Sequence, residues 1–155
     1  MVGILTRCIL ILFIGLPLII FTQVDHWEMM VSDNSTWSYH IPTASTATTW
    51  YSPSFDASSW ASGPGGFGYG DNDDNTTVPV NSTSVYFRKS FTVIDTQHIN
   101  KLLFAIDYDD GFIAYLNGIP LVSRNVNTNP APSWNSLATS SHEAVMYSGG
   151  QPDKF

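Results

Sequence analysis

The sequence predicts an all-β fold. The chain of 155 residues is 43% apolar and 14% aromatic, and only 12% of its residues are charged. It is rich in Thr, Ser, Gly, Tyr and Trp and poor in Lys and Glu, a composition that favours strands and turns. No amphipathic helix of useful length is present, and one strong hairpin signal, Asn117-Gly118, lies in the second half. A chain of this length suits one domain with its own core.

The hairpin is predicted over residues 112–124. A type I′ turn needs positive φ at both central residues, and Asn-Gly meets that requirement best. Pro120 indicates an edge position or a bulge, because proline cannot donate to a strand ladder. The segment from Arg124 to Trp134 is predicted to be a loop.

Four further segments are predicted as strands because they alternate or are continuously apolar: residues 37–41, 84–93, 101–107 and 144–147. In the second of these, the face with Phe87 and Phe91 is expected to meet the core. The third is expected to be a central strand. Phe55 and Trp60, in a turn at residues 53–60, are expected to fill one end of the core. The glycine-rich residues 62–75 are predicted to be a long loop.

The N-terminus is predicted to be a targeting segment. Arg7 supplies a positive charge, and an apolar run at residues 8–21 follows it that is short for a bilayer span. We therefore predict a signal peptide at residues 1–22, a lead-in at 23–35 and the β domain at 36–155. An uncleaved signal anchor is the alternative. Cys8 is the only cysteine, so the mature domain would contain no disulfide, and a secreted or cell-surface protein from a bacterium is expected.

The charge restricts the partners. A net charge of −7 argues against nucleic acid and anionic membrane surfaces, which need basic patches. The expected partners are glycans or further domains of the same polypeptide. No membrane contact is expected beyond the signal segment.

An acidic loop is the candidate metal site. Asp71, Asp73 and Asp74 supply the oxygen ligands that Ca²⁺ prefers. The loop lacks the Gly and the closing Glu of an EF-hand, so that motif is excluded. A solvated turn is the alternative interpretation, and calcium is the only cofactor considered.

Catalysis is not predicted. Asp107, Asp109 and Asp110 lie at the end of a predicted strand, but adjacent carboxylates on a tight turn point apart, and Asp109 or Asp110 is expected to cap backbone N–H groups. A contribution to a cation site is the alternative for this group. The four histidines show no metal-binding spacing. The chain contains no G-x-S-x-G motif and no phosphate-binding glycine loop.

Aromatic side chains are the candidate ligand platform, since rings stack on sugars and line apolar pockets. The candidate set is Trp37, Trp50, Tyr51, Trp60, Tyr69 and Trp134. Trp134, in a loop rich in Pro and Asn, and Tyr69 are the preferred ligand-binding residues, with Asp109 and Arg124 beside the hairpin as polar partners. Packing in the core is the alternative for the whole set.

Several segments together resemble a known family. They are F-D-x-S-S-W from Phe55, G-P-x-G-F-G-Y-G-D from Gly63, Y-F-R-K-x-F-x-V from Tyr86, and D-Y-D-D-G-x-x-x-Y-L-N-G from Asp107, followed by Ser-Arg-Asn. This order resembles the galactose-binding-like jelly-roll module of secreted bacterial multidomain proteins, which accompanies CotH-type kinase, lamin-tail, phosphoesterase and glycosidase domains.

The resemblance implies an antiparallel β-sandwich of eight strands, here without its last strand. It implies a non-catalytic module that binds carbohydrate or supports a neighbouring domain. One alternative is the N-terminal accessory domain of a secreted enzyme whose catalytic part is absent from this chain. A structural cell-surface spacer is the other.

Overall fold

The computed structural model describes residues 26–70 and 74–155. Strands make up 24% of it and helix only 5%, which confirms the predicted all-β class. Residues 1–22, predicted as the signal peptide, lie outside the described residues, as do residues 23–25 of the lead-in. The strands are β1 Thr36–His40, β2 Ala61–Pro64, β3 Phe67–Gly68, β4 Thr76–Thr77, β5 Tyr86–Arg88, β6 Ala105–Ile106, β7 Phe112–Leu116, β8 Ile119–Arg124 and β9 Asp153–Lys154.

The first sheet has the order β2-β1-β5, and both of its pairings are antiparallel. Strand β1 coincides with the alternating segment predicted at residues 37–41. Strand β2 corrects the prediction of an unbroken loop at residues 62–75, because Gly63 pairs with Trp37 in the ladder. Gly65 follows, and a Cβ on it would collide with the Asp33 carbonyl oxygen. Glycine is therefore required here for close approach as much as for flexibility.

Strands β3 and β4 form a short parallel pair, although an antiparallel fold was expected throughout. The pair closes the glycine-rich segment, since Thr76 N donates to Gly66 O at 2.9 Å and Val78 N to Gly68 O at 2.9 Å. Val78 is one of two buried hydrophobic residues in the described chain. The segment is thus tied to itself and to β1.

The strand predicted at residues 84–93 is reduced to β5, which pairs with β1 at three positions. The expected core face is also wrong: Phe87 is 37% and Phe91 40% exposed. Alternation identifies two faces but not a partner, and past Arg88 the segment pairs with no strand in the described chain. Residues 89–93 consequently lie outside any ladder.

The central strand predicted at residues 101–107 is wrong. Only β6 forms, and it pairs with β9 alone. Phe104 and Phe155 extend the ladder by exchanging two backbone hydrogen bonds of 3.0 and 2.9 Å. Leu102 and Leu103, expected inside, are 58% and 52% exposed.

The hairpin of β7 and β8 confirms the prediction. Leu116 pairs with Ile119, and the turn residues Asn117 and Gly118 have φ of 53° and 84°, as a type I′ turn requires. The register shifts between Ala114 and Tyr115, where the partner moves from Val122 to Pro120. This is the bulge that Pro120 indicated.

The strand predicted at residues 144–147 is wrong as well. A 3-10 helix forms at Met146–Ser148, and a second one lies at Thr96–His98. At the start of the first of these helices, the N–H groups of Val145 and Met146 donate to the Asp107 carboxylate. A side chain thus takes the place of the partner strand that a ladder would need.

Packing relies on half-buried aromatic rings. Within the described chain, Val78 and Tyr108 are the buried hydrophobic residues, 5% and 9% exposed. Trp37, Phe87, Phe67 and Tyr39 form one chain of ring contacts at 4.7 to 6.5 Å. Phe55 and Trp60 are half-buried and in contact at 5.5 Å, and Trp60 stacks on His40 of β1 at 5.4 Å.

Candidate ligand-binding site

The ligand-binding residues predicted from sequence lie in separate places. Tyr69 follows β3 and is 41% exposed. Trp134 is half-buried in the loop after the hairpin, and its carbonyl oxygen accepts from Ser84 Oγ at 2.5 Å. Asp109 and Arg124 do share one end of the hairpin, since Arg124 pairs with Phe112. The described contacts do not connect these three places into one site.

Arg124 makes local contacts. Its guanidinium carbon lies 4.4 Å from the centroid of the Phe155 ring, a cation–π distance. One guanidinium nitrogen donates to the neighbouring Ser123 carbonyl at 2.8 Å. Arg124 therefore links the hairpin to the end of β9.

A backbone cap was predicted for Asp109 or Asp110, but the closest contacts with backbone N–H groups are made by Asp107. Its two oxygens accept from Val145 N at 2.9 and 3.1 Å, and one of them accepts from Met146 N at 2.8 Å. The Asp110 carboxylate accepts a longer bond from His142 N, at 3.3 Å. Asp109 is exposed, and its backbone carbonyl accepts from Gly111 N.

The predicted calcium loop is only partly described. Asp71 and Asp73 lie outside the described residues. Asp74 is half-buried, and its carboxylate occupies the space that a side chain at Gly68 would fill. Among the residues that the structure describes, no three His, Cys, Asp or Glu side chains are grouped as a metal site.

The structure brings together an aromatic cluster that the sequence indicated only in part. We call it the Trp50 cluster; its members are His40, Trp50, Tyr51, Trp60, Tyr86 and Tyr115. Two pairs are stacked in parallel: Trp50 on Tyr86, at 4.5 Å and 11°, and Tyr51 on Tyr115, at 4.5 Å and 8°. The two pairs meet edge to face, because the ring of Trp50 is nearly perpendicular to that of Tyr115, at 82°.

The backbone explains why these rings meet. Tyr86 is on β5 and pairs with His40 of β1, while Tyr115 is on β7. The turn before Phe55 carries Trp50 and Tyr51 between the two sheets, and the Trp50 carbonyl accepts from the Arg88 guanidinium. Trp50, Tyr51 and Trp60 belong to the predicted aromatic set. The rings on the strands were missed, because strand alternation does not reveal long-range partners.

Burial changes the acidity of two cluster hydroxyls. Partial burial raises the pKa of Tyr86 above its ordinary value of 10.0. The pKa of Tyr115 is raised by burial first and then by the charges that Tyr51 and Tyr86 would carry. Both phenols are therefore neutral hydrogen-bonding groups at neutral pH.

One member of the cluster is exposed. Tyr51 is 37% exposed, whereas the other members are half-buried. The hairpin tip lies against it: a Cβ on Gly118 would be 3.6 Å from the Tyr51 carbonyl oxygen and 3.3 Å from Pro53 Cδ. Asn117, next to Gly118, is exposed. The hairpin tip, which carries an amide that can donate and accept hydrogen bonds, therefore packs on the turn that contains Tyr51.

Two concave features lie in other parts of the described chain. A cavity of about 400 Å³ lies in the loop after the hairpin; its lining residues are Asn127, Pro130, Ala131, Pro132, Ser133, Ser136 and Leu137. An apolar groove of about 180 Å³ lies between the hairpin and the β6–β9 ladder; its lining residues are Leu102, Phe104, Leu121, Val122 and Phe155.

Within residues 26–70 and 74–155, histidines form contacts but are not grouped into a metal site. His142 stacks on Tyr108 at 4.0 Å between ring centroids, and its Nε2 lies 3.9 Å from an Asp153 carboxylate oxygen. Its Nδ1 is 2.9 Å from the Tyr108 carbonyl oxygen. Together these contacts hold the segment before the hairpin against β9.

Comparison with known proteins found no match: no family model, no curated protein and no solved structure is similar to the chain. Across residues 26–70 and 74–155, no helix has the length and apolar character needed to cross a membrane.

Proposed function

We propose that the protein is a non-catalytic, secreted or cell-surface module that binds neutral carbohydrate on the exposed face of Tyr51. The observation that carries the proposal is the stacking of Tyr51 on Tyr115 at 4.5 Å, beside the hairpin tip. A ring whose orientation is fixed before binding loses little entropy when a ligand stacks on it. Carbohydrate sites combine such a face with a few polar groups that set orientation, a role that Asn117 would fill here.

The finer fold and the family belong to the same proposal. The order of segments that resembles the galactose-binding-like module supports an antiparallel β-sandwich in which the β2-β1-β5 sheet and the β7–β8 hairpin are parts of opposed layers. The ring contacts between Tyr86 of β5, Trp50 and Tyr115 of β7 are consistent with facing layers.

The test is a titration of the full chain on a panel of neutral oligosaccharides, with and without Ca²⁺. Tyr51→Ala should weaken the best binding by about tenfold, because a central aromatic anchor contributes more than 1 kcal/mol. Tyr69→Ala is the matched control, since Tyr69 is also an exposed tyrosine, and it should leave binding unchanged. Loss on Trp134→Ala instead would move the site to the loop after the hairpin. Oligosaccharide binding that requires Ca²⁺ would make the acidic loop part of the site.

A supporting role for a neighbouring domain is the second candidate. It is favoured by the amount of apolar surface left uncovered: Ile94, Ile119 and Leu137 are 97%, 68% and 78% exposed. Extensive apolar exposure is typical of surfaces that another domain covers. If no oligosaccharide binds and Tyr51→Ala changes nothing, the accessory or spacer role remains.

A further inference from the structure

We propose that the apolar groove is a docking site for an extended acidic peptide segment with one large apolar anchor residue. The groove lies between β8, which contributes Leu121 and Val122, and the end of the β6–β9 ladder, which contributes Phe104 and Phe155. Peptide binding in this groove does not depend on carbohydrate binding at Tyr51.

The size of the groove fits one side chain. Its volume is about 180 Å³, and an apolar cavity of about 150 Å³ accepts a benzene molecule. Leu121 is 51% exposed and Leu102 58% exposed, so the mouth of the groove opens to solvent. A single aromatic or branched side chain, buried there as an anchor, would cover both leucines.

Charge selects the partner. The chain has six lysines and arginines against thirteen acidic residues, yet the groove has a cation at its wall, because the Arg124 guanidinium lies over the Phe155 ring. Lys101 and Lys154 are the sequence neighbours of the lining residues Leu102 and Phe155, and strand alternation puts Lys154 on the face of the ladder opposite Phe155. All three are exposed. Within the described residues, the ion pairs join histidines to carboxylates, and none involves these three cations. Asp153, the acidic residue of β9, faces His142.

An extended peptide suits this place better than a helix. Strands β8 and β9 each pair on one side only within the described chain. Their other edges present backbone N–H and C=O groups that an added strand can satisfy. An apolar anchor in the groove, carboxylates near the cations and backbone bonds along an edge then form one recognition mode.

The experiment uses the full chain and a labelled probe peptide, Asp-Asp-Thr-Phe-Thr-Asp-Asp, with binding followed by fluorescence anisotropy at low salt. We expect saturable binding that weakens as salt is raised, because exposed charges are screened within about 10 Å at 0.1 M. Replacing the peptide's Phe by Ala, or its four Asp by Lys, should weaken binding by about tenfold or more. Equal binding of the Lys peptide would overturn the proposal.

Protein variants locate the site. Leu121→Asp places a carboxylate at the groove and should abolish detectable binding, whereas Leu137→Asp, at a leucine that is 78% exposed and outside the groove, should bind as the wild type does. Arg124→Glu should weaken binding of the acidic peptide and strengthen binding of the Lys peptide, a reversal that loss of folding would not produce. Circular dichroism of each variant checks the fold. Equal loss of peptide binding in Leu121→Asp and Leu137→Asp, or the absence of saturable binding, would contradict the inference. Binding of anionic phosphatidylglycerol vesicles without binding of the peptide would contradict it as well.

Discussion

At the scale of single residues, the carboxylates near the hairpin act on the backbone. Asp107 binds the N–H groups of Val145 and Met146, which lie 38 and 39 positions further along the chain. A charged acceptor of this kind contributes more than a neutral one, because charge-assisted hydrogen bonds are stronger. Asp107 therefore connects the start of the hairpin region to the C-terminal segment.

Removing that charge should lower stability. We expect Asp107→Asn to lower the free energy of unfolding by about 1 kcal/mol, since the amide keeps one acceptor oxygen but loses the charge. Urea denaturation followed by tryptophan fluorescence measures the change. Asp109→Asn is the control, because the exposed Asp109 side chain should contribute nothing measurable. Equal effects of the two variants would show that overall charge, and not the cap, is responsible.

Tyr115 gives stability a dependence on alkaline pH. Burial raises its pKa above the ordinary 10.0, so the folded state retains the proton that the unfolded state has lost. The contribution of Tyr115 to stability should be constant below about pH 10 and fall as pH rises from there through the raised pKa. Denaturation midpoints measured across this range should show the fall, and Tyr115→Phe should reduce it. A midpoint that is independent of pH in the wild type would contradict the burial of this hydroxyl.

Sequence reasoning reached half of the candidate site. Trp50 and Tyr51 were indicated because they are aromatic residues in a turn, a local property that the sequence displays directly. Tyr86 and Tyr115 were not, because their meeting depends on the register of β1 with β5 and on the placement of β7, and both are long-range. The preferred candidates Tyr69 and Trp134 share the composition of a platform but lie apart from the cluster.

At the scale of elements, the hairpin was predictable because its information is local. Asn117 and Gly118 specify the turn through backbone conformation alone, and Pro120 specifies the bulge through its missing N–H. The strands predicted at residues 84–93 and 101–107 came out short for the opposite reason. Alternation or apolar character continues beyond the point at which a partner strand is present, and a strand needs that partner.

Alanine substitutions at Gly118, in the hairpin tip, and at Gly149 separate the effect of packing on stability from the effect of backbone strain. Gly118 and Gly149 have nearly equal φ of 84° and 85°, so alanine should strain both by about 1 kcal/mol. A Cβ at Gly118 would also press on Pro53 Cδ at 3.3 Å, whereas nothing lies within 4 Å of one at Gly149. We expect Gly118→Ala to be the more destabilising in thermal denaturation, and to weaken any ligand binding at Tyr51. Equal losses would mean that the tip does not pack on the Tyr51 turn.

At the scale of the whole molecule, composition predicted the all-β class but not how its ladders are arranged. The chain is 43% apolar, which suggested a full core, yet the described residues bury only Val78 and Tyr108 among the hydrophobic side chains. Apolar content limits how large a core can be, but the elements that pack on each strand decide how many of its apolar side chains are buried. The uncovered leucines of the groove are the result.

Charge should prevent the exposed apolar surfaces of two copies of the protein from associating. At pH 7 the net charge of −7 opposes self-association, and that charge vanishes near the isoelectric point of about 4.6. We expect the protein to be monomeric at pH 7 and to self-associate as pH approaches that point, with increased binding of an apolar dye. Light scattering across the pH range measures this. Leu121→Asp and Leu137→Asp add the same charge at different places. A larger suppression of self-association by Leu121→Asp would therefore assign the association to the groove. A protein that stays monomeric at the isoelectric point would mean that the exposed leucines are too dispersed to act as one surface.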